Sequence, residues 1–382
     1  MELINKIKKS PLFQLSLSSR ELFHSNFIYW LGDIYREDFF QFWKEKLNLE
    51  QTEIKKIDRE KEHIDITIVL DDDKEIIVEN KVKSTPTKEQ LKKYESRGDY
   101  FVLLTVFDNR EIAKETNWHF ISYKDLKEGF LDKIRVKGDD ALYHQALIND
   151  YRVVIDFMTE IFEDLKKSYN DLGYFDIIES NRGDLEKLRF SDAYLKHYAQ
   201  LLAENIKKII SDSMGEYRLI DCHWDYEQCK VGNVRIVPEF TNSSAAVSMK
   251  YVLKNHITAP IALGVQLQSN QLRFFVESLN KADVLDVAEK LYANNQWHSE
   301  VCVGKILKMT NVSLLGKGRG KKNDKIGFNS YGTGIHKNVF VYKYVDLKKI
   351  KKEIRSNEIV EIFINAIKYI DDNKGELIKI ID

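Results

Sequence analysis

Two short runs of strand-forming residues, Ile64–Leu70 and Lys74–Val82, are joined by three consecutive aspartates. No other feature of the chain constrains its fold as much. A three-residue turn centred on Asp72 sets Asp65, seven residues before the centre, opposite Glu79, seven residues after it. Facing residues in a hairpin share one side of the sheet, with Cβ atoms ~4.5–5.5 Å apart. Lys81, two residues beyond Glu79, points the same way. Ile64, Ile66, Ile68, Leu70, Ile76 and Val78 take the other side and require a core. That requirement pins the register, because a one-residue slip would turn the whole apolar set outward.

The register brings two carboxylates and a lysine together at one end of the polar side. Like charges across a ladder repel, so the pair needs a cation. Lys81 supplies part of the compensation. A divalent ion supplies more, and Mg²⁺ is typically held by one or two carboxylates, waters and phosphate oxygens. Such an ion activates water and neutralises charge developing on a phosphate, while a neighbouring lysine orients the water or stabilises the transition state. The competing reading is a surface ion-pair cluster worth little to stability.

Around the hairpin the periodicity predicts a helix from Ser18 to about Leu31, capped by Ser18 or Ser19, and a second over Asp38–Leu49. Strands are expected at Glu53–Glu60, His63–Leu70 and Lys74–Val82, then a helix capped by Thr87 that runs to about Arg97. Tyr100–Phe107 and His119–Tyr123 read as strands buried on both sides, and Asp140–Lys167 as a long helix. The order helix, three strands, helix, strand is a mixed α/β unit with a sheet core.

The chain has 382 residues, room for two domains. The boundary is placed near residues 170–185, giving a first domain over 1–175 and a C-terminal α+β domain over 180–382. Net charge is -1, from 59 basic and 60 acidic side chains, so any nucleic-acid binding must rest on a local basic patch. The three cysteines, Cys222, Cys229 and Cys302, are too few for a disulfide framework and fit a reducing compartment. No signal peptide and no run long enough to span a membrane is evident, so a cytoplasmic protein is expected.

The pattern Asp65…Glu79-Asn80-Lys81 resembles the PD-(D/E)XK nuclease superfamily, although Ile64 stands where the family name has proline. Gln90-Leu91-Lys92-Lys93-Tyr94 is similar to the QxxxY motif of its RecB-like branch, nine residues after Lys81. The resemblance covers about residues 15–165. It implies a restriction-endonuclease-like mixed sheet core with flanking helices and hydrolysis of phosphodiester bonds in nucleic acid, expected to be DNA. It implies Mg²⁺ or Mn²⁺ on Asp65, Glu79 and the Asn80 carbonyl, with Lys81 positioning or activating water. Gln90 and Tyr94 would support the site or the DNA. Glu21 on the first helix would bind metal directly or through water. His24 is given no role. The nearest likeness is to stand-alone bacterial or phage-related members, which implies phage defence or mobile-element biology. A partner in a defence system or a homo-oligomer is compatible with it. The other reading is a non-catalytic nucleic-acid-binding or regulatory module on a nuclease fold.

The second half resembles no family. A helix is expected over Asp192–Ser213, and strands over Tyr217–Trp224, Lys230–Phe240, Ala245–Leu253, Ile261–Leu267, Leu272–Ser278 and Asn338–Tyr344. Helices are expected over Lys281–Asn294 and Asn357–Asp371. Gly316–Lys325 is basic and glycine-rich, and Lys317, Arg319, Lys321 and Lys322 are the candidate phosphate contacts. The same string fits a solvated loop equally well. Phe328, Tyr331 and Gly332–Gly334 read as its continuation, with stacking groups. Cys222, His223 and Cys229 lack a fourth zinc ligand and read as incidental.

Overall fold

The computed structural model describes residues 7–16, 20–84, 86–114, 116–179, 182–215, 218–220, 229–241, 244–255, 260–278, 281–293, 297, 327–331, 338–349 and 353–382. Ser18, Ser19, Cys222, His223, Cys302 and the basic loop with Lys317, Arg319, Lys321 and Lys322 lie outside the described residues, as does most of the strand expected at Tyr217–Trp224. The chain divides into two compact units, Met1–Lys167 with Asn181–His197, and Ser168–Ser180 with Tyr198–Asp382.

The first unit is built on a five-stranded mixed sheet: β1 (Ile54–Lys61), β2 (Ile64–Leu70), β3 (Glu75–Lys81), β4 (Tyr100–Thr105) and β5 (Trp118–Ser122), in that spatial order. The β1–β2 and β2–β3 pairs are antiparallel, and β3–β4 and β4–β5 are parallel. Its main helices are α1 (Arg20–Ile34), α2 (Arg36–Leu47), α3 (Lys88–Tyr94) and α4 (Ala141–Ser168). The hairpin has the register its sequence requires: Ile66 pairs with Val78, Thr67 with Ile77, Ile68 with Ile76 and Val69 with Glu75. The same spacing carried one step further sets Asp65 against Glu79. Ile66, Ile68, Ile76 and Val78 are fully buried. Ile64 departs from the expected side. It joins Ile77, Leu91, Tyr94, Phe101, Leu103 and Trp118 in the α3-side core, because the chain enters β2 through left-handed backbone at Glu62 and His63.

α1 lies against β1, β2 and β3. Gly32 lets it approach: a Cβ there would meet the Phe39 ring at 2.7 Å and Ile57 Cδ1 at 2.9 Å. The parallel step from β3 to β4 needs a crossover, and α3 provides it. Thr87 caps α3 as expected, its hydroxyl accepting from the Gln90 N–H at 3.2 Å.

The first turns of α5 (Ser191–Met214) carry His197 into the aromatic core of this unit. Its ring stacks on Phe107 at 4.6 Å and meets Phe162 edge-on at 5.0 Å, while its Nδ1 is buried without a hydrogen-bond partner. Burial pushes its pKa down to about 3. A histidine depressed from about 6.5 in the unfolded chain stabilises the fold above that pH and loses the contribution as pH falls towards 3. His197→Leu should therefore narrow the stability loss between pH 7 and pH 5 by about 2 kcal/mol. Urea midpoints of variant and wild type at the two pH values measure this, and equal losses in both proteins would contradict it.

The second unit contains an antiparallel sheet of β6 (Val234–Thr241), β7 (Ser244–Lys254), β8 (Ile261–Gln268), β9 (Gln271–Ser278), β10 (Gly327–Tyr331) and β11 (Asn338–Asp346), ordered β10-β11-β9-β8-β7-β6. Helices α6 (Lys281–Ala293) and α7 (Ser356–Ile381) pack on it. Two expectations are corrected. Residues 327–331 form a strand against β11, with Phe328 opposite Val341, where the glycine-rich flanks suggest a loop. α7 runs ten residues past Asp371, through Gly375, because Leu377 and Ile381 are buried. Cys229 is a buried thiol. Among the described residues no helix is long and apolar enough to cross a membrane.

Across this sheet Lys250 on β7 meets Glu277 on β9, Nζ lying 3.1 Å and 3.0 Å from the two carboxylate oxygens, with both side chains buried. The intervening strand β8 presents Gly264 opposite Lys250 and Ala262 opposite Glu277. Small residues there let the two long side chains reach over β8. A Cβ at Gly264 would stand 2.1 Å from the Phe275 ring.

Candidate active site

β2 and β3 present Asp65, Glu79 and Lys81 together. Glu79 is 2% exposed and Lys81 8% exposed, so the group is enclosed by protein and is not a surface ion-pair cluster. Lys81 Nζ lies 2.6 Å from Glu79 Oε1, and Gln90 Nε2 donates to the same oxygen at 2.6 Å. Glu79 Oε2 is buried and has no hydrogen-bond partner. Asp65 Oδ2 accepts the Asn80 backbone N–H at 2.7 Å.

The electrostatics follow from crowding acids in a low-dielectric site. Burial, reinforced by Glu79, pushes the Asp65 carboxyl up to about 7. Burial also raises the Glu79 carboxyl, although Lys81 opposes the shift. Lys81 loses solvation through burial, but Glu79, Glu21 and Asp65 more than offset it and hold the ammonium above its ordinary range. Lys81 is thus a cation at neutral pH. It can orient water or stabilise negative charge, but it is not a ready general base.

Glu21, from α1, clamps the chain as it leaves β3. Its Oε1 accepts the N–H groups of Val82, Lys83 and Ser84 at 3.4, 3.1 and 2.9 Å, and the Ser84 hydroxyl at 2.7 Å. Burial would raise this carboxyl, but the Ser84 hydrogen bonds and the Lys81 charge outweigh it and keep the pKa low. One of the two oxygens expected to reach a metal is therefore committed to the backbone.

Tyr94 does not join the group. Its hydroxyl donates to the His63 carbonyl at 3.2 Å and its ring sits in the α3-side core. The i,i+4 spacing put Gln90 and Tyr94 on one side of α3, yet the longer tyrosine reaches the entry to β2 instead of the carboxylates.

Several residues are found only in the folded chain. The β1–β2 ladder, with Arg59 opposite Ile66 and Lys61 opposite Ile64, places Glu60 across from Asp65, so three acids lie in a row over three strands. Glu60 has φ 53°, an uncommon backbone for a residue with a side chain. The β1–β2 register could have found it. Ser25 and Tyr123 hold Asn80 from behind, and the His24 ring meets Tyr123 edge-on at 5.5 Å. His24 Nδ1 lies 2.9 Å from the Tyr151 hydroxyl.

The sequence model of the PD-(D/E)XK nuclease superfamily matches residues 31–218, a span that holds Asp65, Glu79, Asn80, Lys81, Gln90 and Tyr94. Residues 31–218 belong to this superfamily. No curated protein and no solved structure matches the chain. The five-stranded mixed sheet with flanking helices is consistent with the PD-(D/E)XK fold. The expected cofactor of such a nuclease is a divalent ion, and the donor set fits one. Two repelling carboxylates with raised pKa values, one carrying an orphaned buried oxygen, call for a cation. Among the described residues no three His, Cys, Asp or Glu side chains form a cage on their own. Two carboxylates and the Asn80 carbonyl, completed by water and substrate phosphate, is the pattern suited to Mg²⁺ or Mn²⁺.

Proposed function

We propose that this protein is a divalent-metal-dependent nuclease that cuts DNA at Asp65, Glu79 and Lys81, and that the second unit recognises substrate or a partner. The observation that carries the reading is the Asp65–Glu79–Lys81 group, Glu79 and Lys81 buried and Asp65 half-buried, with its unsatisfied Glu79 oxygen, inside the span that matches the superfamily. In this reading Asp65 and Glu79, with the Asn80 carbonyl, hold Mg²⁺ or Mn²⁺. The ion supplies an activated water and charge neutralisation at the scissile phosphate. Lys81 remains cationic and stabilises the same developing charge. Gln90 fixes the Glu79 carboxylate, which supports the likeness to the QxxxY branch, and Tyr94 fixes the start of β2. Glu21 sets the path of residues 82–84. Lys317, Arg319, Lys321 and Lys322 are proposed phosphate contacts. Phage defence is the proposed setting.

The test is cleavage of plasmid, linear duplex, single-stranded DNA and RNA with Mg²⁺ or Mn²⁺, by wild type, Asp65→Ala and Lys81→Ala. Each variant should lose at least ~10²–10³-fold in rate. Cleavage retained by both variants, or a wild type that neither cuts nor binds Mn²⁺ by calorimetry, would replace this reading with a non-catalytic binding module. Preference for RNA would keep the chemistry and correct the substrate.

A further inference from the structure

We propose that Tyr123 and Ser25 are positioning residues for the reaction, acting through the side chain of Asn80 to set the peptide between Glu79 and Lys81. The inference rests on the nuclease reading and deepens it.

Asn80 is the middle residue of Glu79-Asn80-Lys81. In a strand its side chain points away from its two neighbours, so it enters the protein on the side opposite the carboxylates. It is wholly buried and bonded at both ends. Its Nδ2 donates to Ser25 Oγ at 3.0 Å and to the Glu21 carbonyl at 3.3 Å, and its Oδ1 accepts the Tyr123 hydroxyl at 2.7 Å. Both backbone groups of this residue matter on the other side: the N–H holds Asp65, and the carbonyl is a candidate metal donor. A residue fixed from behind by two elements cannot rotate its peptide plane without breaking those bonds.

The direction of the hydrogen bonds follows from one obligate acceptor. The Glu21 carbonyl can only accept, so the amide nitrogen of Asn80 faces it and Oδ1 is left for Tyr123. Tyr123 therefore donates to Asn80. The result is an anchor with a fixed direction, from Tyr123 into Asn80 and from Asn80 into Ser25 and the Glu21 carbonyl. A spacer in the Glu-X-Lys motif would need none of this. Ser25 completes the anchor and donates to the Glu21 carbonyl at 3.0 Å.

Tyr123→Phe removes one oxygen and keeps the packing. In the full-length protein it should lower kcat by ~10–100-fold, with a loss of Mn²⁺ affinity of up to the same order and unchanged KM for DNA. In a double-mutant cycle, adding Tyr123→Phe to Asn80→Ala should cost nothing further, because the hydroxyl acts only through Asn80. Ser25→Ala tests the other anchor without touching the tyrosines. Wild-type kcat and Mn²⁺ affinity in both Tyr123→Phe and Ser25→Ala, or additive effects in the cycle, would each overturn the proposal while leaving the nuclease reading intact. A wild type that neither binds Mn²⁺ nor cuts would remove the nuclease reading, and the proposal with it.

Discussion

Asp65→Asn should yield a protein that does not cut nucleic acid and yet, without metal, is more stable than wild type above pH 7. The Asp65 carboxyl is pushed up to about 7 by burial and by Glu79, whereas an unfolded aspartate titrates near ~3.9. A group whose folded pKa is raised lends its full stabilisation below the unfolded pKa and loses it as pH rises through the folded value. The window is therefore about pH 4 to 7, and the raised Glu79 carboxyl acts in the same direction. Metal-free wild type should lose about 3–4 kcal/mol over that range from Asp65, equivalent to a fall in Tm of several degrees. Asparagine at 65 keeps the acceptor for the Asn80 N–H and carries no charge, so most of this slope should vanish. Mn²⁺ should raise the Tm of wild type at pH 8 much more than that of the variant. Thermal unfolding at pH 5 and pH 8, in EDTA and in Mn²⁺, reads all four quantities. A metal-free variant less stable than wild type at pH 8 would show that Asp65 is not a strained acid.

Removing Lys250 alone should destabilise the second unit by about 3–5 kcal/mol, because the buried ion pair with Glu277 would be broken from one side. Replacing both residues, as in Lys250→Met with Glu277→Leu, should recover most of the loss, since the pair paid its own desolvation on folding. The two ends meet only because Gly264 and Ala262 leave space over β8, so Gly264→Leu should mimic the single variant by forcing the Phe275 ring aside. Urea unfolding of the three proteins checks this. A single variant within about 1 kcal/mol of wild type would mean that the pair is better hydrated than its burial indicates.

The hairpin was legible because strand periodicity is two and Ile66, Ile68, Ile76 and Val78 all fall on one side. Ile64 shows the limit of that argument at a strand end, where two residues of left-handed backbone turn the chain before the ladder begins. Thr87 could be read as a cap because capping is local. Gln90 fell into place because it is one turn from that cap. Tyr123 and Tyr151 could not be found this way. Tyr123 reaches Asn80 from 43 residues further along the chain and Tyr151 meets His24 from 127 residues further, and nothing near them in sequence marks a partner so distant. The end of α7 was misplaced for a related reason. Asp371-Asp372-Asn373-Lys374-Gly375 has the composition of a helix stop, and the burial of Leu377 and Ile381 overrides a glycine cost of about 1 kcal/mol. Residues 327–331 gain a partner strand that a reading of the loop composition does not supply.

The spread of the site along the chain bears on the order of synthesis. Asp65, Glu79 and Lys81 leave the ribosome first, followed much later by Tyr123 in the turn after β5 and by Tyr151 on α4. Until α4 emerges, His24 lacks the Tyr151 hydroxyl and Phe27 lacks the Tyr151 ring, so the helix that anchors Asn80 is not yet packed. On the proposed reading, a growing polypeptide that already bears the whole Asp…Glu-Asn-Lys motif would stay inactive until α4 of its own unit docks.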